Sequence, residues 1–164
     1  MDHGTTLERR MLLRGAGVAG AAIAGVGAVP GSAAADGGDD ESSGRLLGAW
    51  LITHTDDPPA DPSTGRAVVT FAPGGAFAVQ DFAPVSTGGL GAWKGYGDWF
   101  KVTFWSGQAG DTPQDHGVAI KVRVRGSRSY DSISGTYRVK VYDAVTHALV
   151  GSNTGTFTGE RLYA

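Results

Sequence analysis

The chain has 164 residues, no cysteine, a formal net charge of -2 and 41% hydrophobic side chains, and its isoelectric point lies near 6.0. This balance argues against a nucleic-acid binder, which would need a basic stripe to release counterions from phosphates. The missing cysteines exclude a disulfide-stapled scaffold, a thiolate metal centre and a cysteine nucleophile. Without its compositionally distinct beginning, the chain has the size of one domain, which at that length buries roughly two thirds of the surface its unfolded form exposes and needs no staple.

Residues 8–14, ERRMLLR, set Arg9 and Arg10 directly ahead of a weakly apolar run of Gly, Ala, Val and Ile over residues 15–29. This pattern resembles a twin-arginine export signal. Pro30-Gly31 breaks the run, and Ala33, Ala34 and Ala35 supply the small residues a signal peptidase accepts, so cleavage is expected after Ala35. A membrane span would need about 20 strongly apolar residues, and this glycine-rich run falls short. The resemblance implies a protein exported already folded from the reducing cytoplasm, which suits a cysteine-free chain. Its mature form is expected to be secreted, extracellular and without a membrane span. Residues 36–44, DGGDDESSG, are acidic and lack apolar anchors, the composition of a disordered lead. The expected organisation is an export signal over 1–35, an acidic lead over 36–44 and one domain over 45–164.

From Arg45 onward apolar residues recur at spacing two, and Gly, Pro, Asp and Ser clusters interrupt them. Strands are predicted over 46–55, 67–72, 76–82, 92–96, 99–105, 118–125, 133–142 and 149–161. A proline-containing loop is expected over 56–65, a hairpin turn at Pro73-Gly74-Gly75, a glycine-rich loop over 83–91, a polar loop over 106–117 and a turn over 126–131. In the sixth strand Val118, Ile120, Val122 and Val124 share one face, and Lys121, Arg123 and Arg125 the other. Arg128, Arg138 and Lys140 extend this outward basic set, which is either a solvated sheet face or a surface-binding patch. Ile133, Tyr137, Val139 and Val141 form the apolar side of the seventh strand. Strands joined in sequence by hairpins lose their exposed edges only by closing into an up-and-down barrel. With about eight strands, its interior is either filled by side chains or holds one small ligand.

Gly48-Ala49-Trp50 opens the first strand, and Arg161 ends the last, TFTGER over residues 156–161. This arrangement resembles the lipocalins, and the resemblance implies that Trp50 closes the barrel floor with Arg161 packed over it. Gly91-Ala92-Trp93, the run over 100–105 and Ser134-Gly135-Thr136-Tyr137 are further points of likeness to small bacterial, lipocalin-like, calycin-type secreted proteins. Allene oxide cyclase-like barrels share the architecture. The expected fold is all-β, an eight-stranded antiparallel up-and-down barrel of lipocalin-like kind.

No Gly-x-Ser-x-Gly elbow and no Ser, His and Asp order that the strands would bring together is present. No catalytic residue, metal ligand or cofactor is therefore assigned. His54 with Asp56 and Asp57 is the nearest approach to a metal-like cluster but reads as a surface histidine beside a loop; His116, after Asp115, and His147 read as solvated loop residues. Asp81 shares a face with Phe77 and Val79 and is the best inward acid. With His54 and Gln80 it is a polar candidate for an isomerase or cyclase-type cavity. Asp98 and Asp143 read as turn residues. The aromatics Trp50, Phe71, Phe77, Trp93, Phe100, Phe104 and Tyr137, with Trp99, Trp105 and Phe157, lie on nearly every strand, and either fill the core or line an apolar pocket. The leading expectation is a secreted binding protein that holds a small hydrophobic molecule. Its ligand contacts are expected from Trp50, Phe71, Phe77, Trp93, Phe100, Phe104 and Tyr137, and its closure from Trp50 and Arg161. A cavity enzyme and a cell-surface interaction module using the Lys and Arg face are the alternatives. Neither the ligand nor the oligomeric state is written in the sequence.

Overall fold

Alternation at spacing two sends every second side chain to the same face, so a sheet of such segments is oily on one side and wet on the other. Rolling the oily side inward buries it and consumes both free edges at once. The computed structural model describes residues 45–58, 64–82, 88–110, 112 and 115–163. The expected export signal and acidic lead lie outside the described residues.

The strands are β1 Gly48–Asp56, β2 Thr64–Phe71, β3 Ala76–Asp81, β4 Gly88–Tyr96, β5 Trp99–Gln108, β6 Val118–Ser129, β7 Ser132–Asp143 and β8 Leu149–Arg161. Each pairs antiparallel with the next, and β1 pairs with β8 from Trp50 opposite Arg161 to Asp56 opposite Gly155, closing the barrel. The expected all-β, eight-stranded up-and-down barrel is the observed architecture. Between β2 and β3 the chain turns through Pro73–Gly75, with Gly74 at φ 75°. No helix among the described residues is long and apolar enough to cross a membrane.

Local expectations need correction, the 56–65 and 106–117 loops first, since β1 takes in Asp56, β2 starts at Thr64 and β5 runs on to Gln108. The glycine-rich stretch read as loop up to Gly91 is already strand from Gly88. Gly91 faces inward where β5 presses close, and a Cβ there would run into the backbone of Thr103 and Phe104. β6 continues to Ser129, which shrinks the expected 126–131 turn to Tyr130 and Asp131. That extension puts Arg128 on the inner face with Val122 and Val124, so it does not belong to the outward basic set. It is 8% exposed and donates to the Asp98 carboxylate at 3.0 Å.

The floor of the barrel holds the best-packed groups. Trp50 and Leu46 are fully buried, and the Trp50 indole donates to the Leu46 carbonyl at 3.0 Å. The Arg161 guanidinium lies 4.4 Å from the centre of the Trp50 ring and donates to the carbonyls of Leu47 and Arg45. One planar cation thus covers the indole and ties the incoming chain to the end of β8. Phe71 meets Phe77, Trp93 and Phe100 edge to face at 5.2, 5.4 and 5.3 Å, each such pair worth about 0.5–1.5 kcal/mol beyond area burial. The Trp93 indole donates to the Ala72 carbonyl at 3.0 Å.

At the opposite end Asp143 organises the β7–β8 hairpin. Its Oδ1 accepts from the amides of Thr146 and Val145 at 2.7 and 3.0 Å and from the Thr146 hydroxyl at 2.9 Å. These donors, the Thr146 amide first, hold the carboxyl below its usual range. The ionised form is therefore favoured by folding, and the contribution is present above the unfolded carboxylate pKa and lost as pH falls through the depressed one. Asp143→Ala is expected to lower stability at neutral pH, with the difference from wild type vanishing on acidification, as read by denaturant melts across pH. Arg161→Ala should cost about 2–3 kcal/mol through the lost cation–π contact and carbonyl bonds. Arg161→Lys should recover only part, because an ammonium cannot reproduce the fork.

Candidate functional site

Above the floor the barrel is not filled. A cavity of about 220 Å³ remains, walled below by Phe71, Phe77, Phe100, Phe104 and Phe157 and above by aliphatic residues with His54, Asp56, Asp81, Ser106 and Tyr137. An apolar cavity of about 150 Å³ already accepts benzene, whereas drug-sized sites begin near about 300 Å³. The space therefore suits a molecule of about one ring with a short substituent.

The polar groups gather at one end because of parity and register. His54 and Asp56 follow Trp50 and Ile52 at spacing two on β1, and both enter the cavity wall. His54 stands opposite Gly65 and Phe157, and Asp56 opposite Gly155. A Cβ at Gly65 would strike the His54 imidazole and one at Gly155 the Tyr137 phenol, so these glycines make room for the two rings. Asp81 ends β3, and Tyr137 comes from the middle of β7.

Two pairs result. The Tyr137 hydroxyl donates to Asp56 Oδ1 at 2.6 Å. His54 Nε2 lies 3.4 Å from Asp81 Oδ2, with the two side chains 24% and 28% exposed. That is ion-pair distance without hydrogen-bond alignment, so Nε2 is buried and lacks a hydrogen bond among the described residues. The imidazole and phenol rings meet edge to face at 6.1 Å, making the two pairs neighbours. Burial, then the bond to Asp56, then the negative charges of Asp56, Asp57 and Asp81 push the Tyr137 hydroxyl far above its ordinary pKa. Tyr137 is thus a neutral donor at physiological pH, while the carboxylates accept.

Of the residues expected to contact a ligand, Phe71, Phe77, Phe100, Phe104 and Tyr137 line the cavity. Trp50 lies below it in the floor under Arg161, and Trp93 packs edge to face against Phe71 within the core without lining the cavity. His54 is not the surface histidine expected beside a loop, because its parity with Trp50 carries it inward. Asp81 takes its inward position, whereas Gln80 is one residue out of phase and faces the outer wall. The expected His54, Asp56 and Asp57 cluster is divided, with Asp57 outside the cavity lining and bonded to the Thr154 hydroxyl at 2.8 Å. Among the described residues no group of three or more His, Cys, Asp or Glu is placed to hold a metal. His116 and His147 are exposed.

The contribution of Asp56 was missed because β1 runs one residue further than expected, and its link to Tyr137 joins positions 81 apart in sequence. In an alkaline titration Tyr137 should stay protonated well beyond the ordinary tyrosine range, as read from its side-chain carbon NMR shifts. Asp56→Asn should bring its pKa back down. Because folding favours the neutral phenol, its contribution is complete below the ordinary tyrosine value near about 10 and is lost as pH rises. Compared with protein-family models, curated proteins and solved structures, the chain matches none.

Proposed function

We propose that the protein is an exported binding protein that holds one small, largely apolar molecule carrying a single polar group. The observation that carries this reading is the two-zone cavity, phenylalanines below and the Tyr137–Asp56 and His54–Asp81 pairs above. Burial of an apolar ligand body against the Phe walls supplies affinity, and the polar end fixes orientation. Asp56 and Asp81 both face this space, so a ligand carboxylate would meet like charge in a poorly solvated site. A hydroxyl or amine finds acceptors there and is preferred. Export of the mature protein beyond Ala35 rests on the resemblance of residues 8–35 to a twin-arginine signal. The glycine-tryptophan opening of β1 and its partner Arg161 support a lipocalin-like relation.

The two polar pairs also favour a second reading, an isomerase or cyclase-type enzyme, in which the neutral Tyr137 donates to a developing negative charge and a carboxylate accepts a proton.

Native mass spectrometry of the protein from its culture medium should reveal a bound molecule of low mass, and Phe104→Trp should exclude it while the barrel still melts cooperatively. Calorimetric titration should rank benzylamine and benzyl alcohol above benzoate, by about 10-fold or more, with Asp56→Asn/Asp81→Asn narrowing the gap. A bare protein that binds none of the three probes would overturn the reading. Chemical conversion of the co-purified molecule on incubation would instead select the enzyme.

A further inference from the structure

The strand registers lay out the outer wall as rows. One row crosses β4 to β7 as Leu90, Trp105, Lys121 and Lys140, the next as Ala92, Thr103, Arg123 and Arg138, and a third as Lys94, Lys101, Arg125 and Thr136. Apart from Asp143 at the tip of β7, these strands contain no Asp or Glu. Like charges therefore stand directly opposite one another at Lys121 and Lys140, at Arg123 and Arg138, and along Lys94, Lys101 and Arg125, an arrangement that weakens a sheet. Among the described residues the ion pairs join His54 to Asp81 and Arg128 to Asp98, both away from this wall. A protein of net negative charge thus concentrates on one side cations that no carboxylate among the described residues pairs, and an anionic surface is the partner that relieves them.

The cations border an apolar strip. Leu90 is 75% and Trp105 46% exposed, and they are register partners. The Trp105 ring lies 5.8 Å from Tyr142, and Tyr142 is opposite Leu149. A register shift beside Tyr142 leaves both Leu149 and Val150 exposed. The strip lies toward the same end as Asp56, since Asp56 pairs with Gly155 and Leu149 lies further along β8 in that direction. Lys121 Nζ is 5.0 Å from the Trp105 ring, joining strip and cations. A soluble polyanion would engage the cations alone. Apolar side chains leading a belt of Lys and Arg match a surface with an oily interior beneath an anionic layer.

We propose that this wall docks the barrel on an anionic phospholipid membrane, with Leu90, Trp105, Leu149 and Val150 entering the headgroup region and Lys121, Arg123, Arg138 and Lys140 meeting the lipid phosphates. The docking is independent of what the cavity holds. It also turns the polar end of the cavity toward the lipid.

Co-sedimentation of the full chain with phosphatidylcholine vesicles, with and without phosphatidylglycerol, tests it. Residues 1–35 are common to every variant, so each variant is read against the native full chain. The expected result is preference for anionic vesicles and a blue shift of tryptophan emission. Lys121→Gln/Lys140→Gln should weaken binding roughly 30-fold, Lys121→Arg/Lys140→Arg should retain it, and Leu90→Ser/Leu149→Ser should weaken it and reduce the blue shift. Circular dichroism confirms that each variant is folded. If the Gln variant does not fold, salt near about 1 M, where the screening length is about 3 Å, should release the native protein instead. Equal binding to neutral vesicles, or binding indifferent to both the lysines and salt, overturns the proposal. So does an unchanged Leu90→Ser/Leu149→Ser variant whose binding is competed by dextran sulfate, which would identify a soluble polyanion as the partner.

Discussion

The pairing of β1 with β8 is the constraint on which everything else depends. It converts an open sheet with two reactive margins into a closed wall, and only a closed wall has an inside. The register of that seam, with Trp50 opposite Arg161, also decides which residues form the floor. Once Trp50 is inside, period two sends Ile52, His54 and Asp56 in after it, rising from the packed end toward the polar end. The acid and the imidazole of the site are thus consequences of where a tryptophan was anchored.

Inner and outer walls carry different chemistries because parity sorts them. On β6, Val122 and Val124 face the cavity while Lys121, Arg123 and Arg125 face outward. A slip of one residue in pairing would exchange the two sets, burying cations among phenylalanines at a cost of several kcal/mol per ion. The basic residues that strain the outer surface therefore also act against misregistered folding. The phenylalanine ring of the cavity and the cationic wall are two faces of the same pattern.

The barrel was legible because alternation is strong from β5 to β8, and the ends of β8 coincide with the pattern. Where glycines removed that signal, as over Gly88–Gly91, a strand looked like a loop. Arg128 looked like its exposed neighbours because the sequence could not show that β6 continues past Gly126 and keeps phase. Phe71, Phe77, Phe100, Phe104 and Tyr137 could be named from sequence as inward aromatics, but not the void between them, which is set by how far rings leave each other unfilled. The Tyr137–Asp56 bond joins β7 to β1 and exists only through closure, so no local window contains it. His54 was open to a better reading from its parity with Trp50.

The contacts of Arg161 span 114 and 116 positions, so the floor cannot be assembled until the last strand has been synthesised. Until then β1 and β7 present bare margins, the condition in which chains associate with one another. A product cut short before Arg161 lacks both the lid over Trp50 and the anchor for Leu47. Closure in this way waits on Arg161, since only a chain that has grown as far as that residue can seal its own seam.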